Sequence, residues 1–221
     1  MSTTRPVALI IGMGPGLSAA LAQRFAAGGY AIAGFARSPE KSAGLAAEMA
    51  ESGQKLDLRA VDAGDFIAIG SAVRAVEAQL GPIEVLIYNA YSATPAVPSQ
   101  IPLDALVADF RVNVGGALAA VQAALPAMQA RGKGTVLLTG GGLALDPTGW
   151  LPAASLAIGK AGIRNLAQSL HKEMDGTAIR VGTVTVTGQI LPGTPLAPET
   201  IAERFWDLHA MPAPAPVEVI L

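Results

Sequence analysis

The chain has 221 residues, of which 51% are hydrophobic and 14% charged, with no cysteine and a net charge of -2. That composition excludes intrinsic disorder, a basic field for nucleic acid or anionic lipid, disulfides, thiolate catalysis and cysteine-ligated zinc. The polar start at residues 1–6 and the want of an apolar run long enough to cross a bilayer predict a soluble, cytoplasmic protein, and the length suits one domain spanning 1–221.

Short apolar runs alternate with longer helical patterns. Val7–Ile11 reads as a buried strand. Leu17–Ala27 follows as a helix, with Leu21 and Phe25 on one face and Gly28 and Gly29 as its stop. A strand at Ala31–Ala36 precedes a helix over 39–51, which carries Pro39 at its start. A strand of mixed character spans 56–61. The next helix, 65–80, sets Phe66, Ile69, Val73 and Val76 on one stripe and breaks at Gly81 and Pro82. A fourth strand at 85–88 leads into a loop over 92–102 and a long helix from 103 towards 129. A fifth strand (135–139), a second long helix within 151–174, a sixth strand (180–186), a helix over 197–208 and a closing strand at 217–221 complete the order. The Pro-rich stretch 212–216 reads as a turn or an extended lead into that last strand. Parallel neighbours need crossover helices, and crossovers are right-handed, so this alternation predicts a doubly wound, mostly parallel seven-stranded α/β sheet with helices on both faces, Rossmann-like.

The first chemical signal lies in the turn Gly12-Met13-Gly14-Pro15-Gly16-Leu17-Ser18. It sits between a strand and a helix, at the head of a strand–helix–strand unit. Glycine there permits a sharp turn and a close approach of backbone to a pyrophosphate, and the helix start offers free N–H groups and a positive dipole end. Its spacing resembles that of the short-chain dehydrogenase/reductase family: glycine, three residues, glycine, one residue, glycine. Gly12 and Gly16 match the first two, and Ser18 replaces the third. The resemblance runs along essentially the whole chain and implies a dinucleotide site that includes Gly12, Gly14, Gly16 and Leu17.

At the end of the second strand an acid bonds the ribose 2′-hydroxyl of NAD, whereas a basic residue accommodates the 2′-phosphate of NADP. Here Ala36 stands at the acid's place and Arg37 follows it, aligned with the arginine of NADP-using members. A guanidinium pairs well with phosphate, so the expected cofactor is NADP(H). The resemblance also implies Asp62 near the adenine and Asn89-Ala90 as half of the segment after the fourth strand. Gly188 and Ile190 match the turn beneath the nicotinamide, where Thr187 stands for proline. Asn113 matches a helix asparagine that in the family supports the active-site lysine through water. That lysine is Lys160, expected to bond ribose hydroxyls.

The catalytic half of the pattern departs from the family. The family's proton donor is a tyrosine four residues before the lysine, and Leu156 stands there. The family's serine at the end of the fifth strand meets Thr139-Gly140-Gly141-Gly142, with glycine at the expected position. The segment between is about three residues longer than usual. Hydride addition to a carbonyl leaves an alkoxide that needs a proton. Tyr91, after the fourth strand at the carboxyl edge of the sheet, is the candidate replacement donor, with ordered water the alternative and packing in the loop the competing role for its ring. Ser155 is a poor acid, His171 is expected at the surface, and His209 is expected as a satisfied helix-end histidine. Two distant histidines make no metal site. Residues 191–208 are expected to form a substrate lid whose apolar character suits an apolar or aromatic small molecule. The two long helices resemble those that pair family members as homodimers or homotetramers. Two functions fit: an NADP(H)-dependent oxidoreductase with a non-standard proton donor, or an NADP(H)-binding sensor, scaffold or partner subunit without turnover.

Overall fold

A computed structural model of the chain describes residues 5–212 and 214–221. The first four residues of the polar start, and Ala213 within the Pro-rich stretch, lie outside the described residues. The described strands are β1 (Val7–Ile11), β2 (Ala31–Ala36), β3 (Leu56–Ala60), β4 (Ile83–Tyr88), β5 (Gly134–Gly141), β6 (Ile179–Val186) and β7 (Glu218–Ile220). They form one seven-stranded sheet in the order β3-β2-β1-β4-β5-β6-β7, and every pairing is parallel. The helices are α1 (Leu17–Ala27), α2 (Ala43–Glu51), α3 (Phe66–Leu80), α4 (Leu103–Phe110), α5 (Gly116–Arg131), α6 (Ala154–Glu173) and α7 (Pro198–Ala210).

Because β1, β2, β4, β5 and β6 are buried on both faces over most of their length, they read as largely apolar runs rather than alternating ones, whereas β3 is buried only at Leu56. One core cluster joins one face of the sheet to α3, α5 and α6, through Ile69, Val73, Val121, Ile163 and Leu170. The other joins the opposite face to α1, α2 and α7, through Leu21, Phe25, Met49, Ile201 and Phe205. The strand order reverses at β1, which has β2 on one side and β4 on the other. That reversal opens a crevice at the carboxyl ends of the strands.

Strand ends shift by a few residues from the sequence expectation, and two expected helices are divided. The helix expected over 39–51 begins as a 3₁₀ turn, Pro39–Ser42. The helix expected from 103 towards 129 is two helices joined by a π-helical turn, Arg111–Gly115. There the Tyr88 hydroxyl donates to the Val112 carbonyl, and Gly116 presses so close to the turn after β3 that a Cβ would fall 2.1 Å from the Ala63 carbonyl oxygen. The helix expected within 151–174 starts at Ala154. Residues ahead of it form turns tied down by an isolated bridge, with Ala96 N–H donating to the Pro152 carbonyl at 2.9 Å.

Candidate active-site cleft

A cleft of about 1420 Å³ runs along the carboxyl edge of the sheet. Its first wall is the glycine turn. Gly12 has φ +92°, and a Cβ there would lie 2.4 Å from the Ala90 backbone nitrogen, so only glycine lets β1 and β4 end this close together. The Ser18 hydroxyl donates to the Gly12 carbonyl at 2.7 Å and accepts from Asn89 Nδ2 at 2.9 Å. Ser18 therefore does more than replace a small residue: it ties the turn to the end of β4. Gly14 and Gly16 face open space on the side a Cβ would occupy. Helix α1 begins there with no side-chain cap and no acid in its first turn, leaving its N–H groups and dipole for an anion. This concavity fits a pyrophosphate.

At the adenosine end the cleft is lined by Ala36, Arg37 and Asp62. Arg37 is exposed, and among the described residues no carboxylate forms an ion pair with it. Asp62 accepts the Gly64 N–H at 2.8 Å, which fixes the turn after β3. Asn89, Ala90 and Tyr91 line the middle, and Leu17, Gly188 and Ile190 line the cleft as well. Thr187 is anchored to the carbonyl of Leu221 by its N–H at 2.9 Å and by its hydroxyl, holding the turn that carries Gly188 and Ile190.

Lys160 reaches the cleft from α6, and its Nζ donates to the Thr139 carbonyl at 2.8 Å. Burial lowers its ammonium pKa to about 8. Leu156, one helical turn earlier, lines the same wall. Gly141 is extended, with φ -161°, and the atoms nearest to a Cβ there would be the methylene stem of Lys160, at 3.2 to 3.3 Å. Gly140 points the other way, where a Cβ would fall 2.3 Å from Thr185 Oγ1. The Thr139 hydroxyl is buried and has no hydrogen-bond partner among the described residues.

Asn113 does not line the cleft. It is buried in the π-helical turn, where its Oδ1 accepts the Ser92 N–H and its Nδ2 donates to the Ser92 carbonyl, both at 2.8 Å. Gly159 makes room for it, since a Cβ would lie 2.5 Å from Asn113 Nδ2. Ser155 is likewise buried, accepting the Thr94 N–H at 3.0 Å. Asp109, which the sequence reading did not single out, completes this clamp by accepting from the Ser92 hydroxyl at 2.6 Å and the Thr94 N–H at 2.7 Å. Burial opposes its ionisation, but hydrogen bonds from Ser92, Ser155 and Thr94 hold its carboxyl below the usual value.

The histidines lie elsewhere. His171 is half-buried and its Nδ1 pairs with the Val181 carbonyl at 2.9 Å, which corrects the surface position expected for it. His209 bridges the Tyr30 hydroxyl at 2.9 Å and Thr135 Oγ1 at 3.0 Å, at the amino ends of β2 and β5 and so across the sheet from the cleft. Of residues 191–208, Leu191, Pro192 and Pro198 line the cleft, while Ile201, Ala202, Phe205 and Leu208 of α7 are buried in the core. Sequence reasoning also missed Asp146 and Trp150, which line the cleft from the 142–153 loop. The only signal for them was that loop's extra length.

A family profile described as short chain dehydrogenase matches residues 6–199. An oxidoreductase of Sarocladium schorii, asL5, is 26% identical over 211 residues, covering 96% of this chain and 82% of that protein. An uncharacterized oxidoreductase of Mycobacterium tuberculosis is 31% identical over 189 residues, covering 85% of this chain and 74% of that protein. Among solved structures, a metagenomic short-chain oxidoreductase in complex with NADP superposes with a TM-score of 0.87 at 22% identity, over 100% of this chain and 98% of that one. With the glycine turn, the parallel sheet order and the lysine of α6 in place, this chain belongs to the short-chain dehydrogenase/reductase family of oxidoreductases.

Proposed function

We propose that this chain binds NADP(H) in the cleft and transfers hydride between it and an unidentified carbonyl or alcohol, with a proton donor other than the family's tyrosine. The observation that carries the cofactor reading is the pairing of an uncapped α1 terminus behind Gly12, Gly14 and Gly16 with an exposed, unpaired Arg37 where no acid stands. The pyrophosphate would sit against the α1 N–H groups and Leu17, and Arg37 would take the 2′-phosphate. Asp62, Asn89 and Ala90 would border the adenine and ribose, Lys160 would bond ribose hydroxyls, and Gly188 with Ile190 would meet the carboxamide. A similar structure, at 22% identity, holds NADP. The bound cofactor would supply the hydride. The chain's own part is to hold substrate oxygen and a proton source together in a water-poor wall formed by Leu156, Leu143 and Ile190. Asn113 acts on this wall indirectly, by fixing Ser92 and thereby the segment that carries Tyr91.

The substrate is a small molecule of apolar or aromatic character, covered by the turn at 187–192 and by Pro198 as the working part of the lid. Tyr91, 65% exposed at the cleft, remains a candidate donor. The exposed apolar row Leu103, Val107 and Phe110 on α4, with Ile158 on α6, supports pairing of two copies as a dimer or tetramer. Among the described residues no helix is long and apolar enough to cross a membrane, and a cytoplasmic site of action fits the absence of cysteine.

The second reading, an NADP(H) sensor, scaffold or partner subunit without turnover, is favoured by one observation: Leu156 and Gly141 leave the tyrosine and serine positions empty of hydroxyls. Measuring NADPH binding by fluorescence and NADPH oxidation with a panel of carbonyl compounds separates the two. Turnover supports the oxidoreductase; binding with no turnover across the panel supports the sensor.

A further inference from the structure

The cleft is short of acids. Its titratable side chains are Arg37 and Asp62 at the adenosine end, Tyr91 and Asp146 on exposed segments, and Lys160. Arg37 cannot give up a proton at ordinary pH. Asp146 is held as a carboxylate below its usual pKa by hydrogen bonds from Thr148, so it offers no proton near neutrality. Lys160 alone stands beside the wall where the family's tyrosine would project, one turn after Leu156 on the same helix face. One of its ammonium protons is given to the Thr139 carbonyl at 2.8 Å, which leaves two N–H bonds without a partner among the described residues. Gly141 leaves the lysine stem uncovered, since a Cβ there would sit 3.2 Å from Cγ and 3.3 Å from Cδ and Cε.

We propose that Lys160 is itself the proton donor of this site, taking over the task of the missing tyrosine. The proposal rests on the oxidoreductase reading above. As the substrate carbonyl carbon accepts a hydride from reduced nicotinamide, the C=O π pair moves to oxygen. That oxygen bonds a proton from Lys160 Nζ, the N–H bond breaks, and the electron pair stays on the now neutral amine. Solvent water restores the ammonium. In the oxidising direction the neutral amine accepts the alcohol proton.

The surroundings suit the role. Burial, with no carboxylate beside it, brings the ammonium to about 8, where acid and base forms are both populated near neutral pH. On the packed elements, β5 offers the Thr139 carbonyl and hydroxyl, the turn after β6 offers Thr187, and the segment after β4 offers Asn89 and Tyr91. The 142–153 loop offers Asp146. Arg164, one turn further along α6, is already held by Glu218 of β7 at 2.8 Å.

The test uses the whole chain with 4-nitrobenzaldehyde as reference within an aldehyde panel, NADPH binding being titrated separately at each pH. Wild type should show a kcat that falls about tenfold per pH unit above about 8, with NADPH still bound. Lys160→Arg keeps the positive charge for ribose contacts but cannot release a proton, so it should bind NADPH yet lose ~10²-fold or more in kcat. Lys160→Ala should regain turnover with added ethylammonium, in proportion to its concentration. Lys160→Arg turning over like wild type, a high-pH limb that survives in Lys160→Arg, or no turnover by NADPH-bound wild type with any of the panel would each overturn the proposal. Loss of turnover in Tyr91→Phe with Lys160→Arg still active would move the role to Tyr91. Failure of wild type to bind NADPH would bring down the underlying cofactor reading, and this proposal with it.

Discussion

Restoring the family's hydroxyl pair is the perturbation whose outcome the structure constrains most. Leu156→Tyr puts a phenol one turn before Lys160 on the cleft wall, replacing a side chain that already lines it. For the serine, the neighbouring glycines are not equivalent. Gly141 has extended backbone that any residue adopts, and the nearest atoms to a Cβ would be the flexible Lys160 stem at 3.2 to 3.3 Å, so a shift of a few tenths of an ångström in that stem makes room. At Gly140 the Cβ would fall 2.3 Å from Thr185 Oγ1 and 3.0 Å from the Thr185 Cα, and backbone cannot step aside. The Thr185 hydroxyl also donates to Glu218 at 2.7 Å, so a displaced Thr185 would pull on the contact that fastens β7. Overpacking of this kind costs about 1–3 kcal/mol. The expected result is that Leu156→Tyr/Gly141→Ser folds, binds NADPH and reduces aldehydes faster than wild type, by less than the ~10²–10⁴-fold of a positioned general acid, since Lys160 already donates a proton in wild type. Gly140→Ser should instead lower the melting temperature without raising the rate. The assay is NADPH oxidation at saturating cofactor, with thermal melts on every variant. A folded, NADPH-bound Leu156→Tyr/Gly141→Ser protein no faster than wild type would refute the reasoning that these two positions face the reacting carbonyl.

Two further outcomes follow from the same structure. Burial, followed by the nearby Arg180 charge, lowers the His209 imidazole from 6.5 to about 4. The neutral form is the one the folded state holds, so its contribution is whole above pH 6.5 and is lost as pH falls from 6.5 towards 4, as the unfolded chain takes up the proton first. Since the ring is partly exposed, the loss should be on the order of 2 kcal/mol. His209→Gln should flatten the melting temperature over that interval, and parallel pH profiles for the two proteins would contradict this. At micromolar concentration, light scattering should give the mass of a dimer or tetramer. Leu103→Asp/Val107→Asp on the exposed α4 row should shift it towards the monomer, whereas a monomeric wild type would remove the pairing proposal.

Much of the fold was legible because parallel strands covered on both faces leave unbroken apolar runs, and Val7–Ile11 or Ala31–Ala36 can be nothing else in this pattern. Periodicity alone did not show where the helix from 103 towards 129 would divide. That division depends on a tertiary event, the Tyr88 hydroxyl capturing the Val112 carbonyl while Gly116 packs against Ala63. That Gly12, Arg37 and Lys160 line the cleft was legible from the glycine turn at the strand–helix junction and from the family resemblance. The work of Asn113 was not, since both halves of its amide are spent on Ser92, a residue 21 positions away, and no spacing rule announces such a clamp. Asp109 was hidden for the same reason. Trp150 and Asp146 sit on a loop whose path is set by the bridge between Ala96 and Ala153, which only the folded chain reveals.

The central claim, that the cleft is an NADP(H) site with Arg37 as its phosphate contact, is met most directly by calorimetric titration of NADPH and NADH into wild type and Arg37→Asp. Wild type should bind one NADPH per chain, more tightly than NADH, with that preference lost or reversed in Arg37→Asp. A charge-assisted phosphate contact contributes about 1.5–3 kcal/mol, so the wild-type preference should be roughly tenfold or more. Equal affinities for the two cofactors in wild type, or no binding of either, would contradict it.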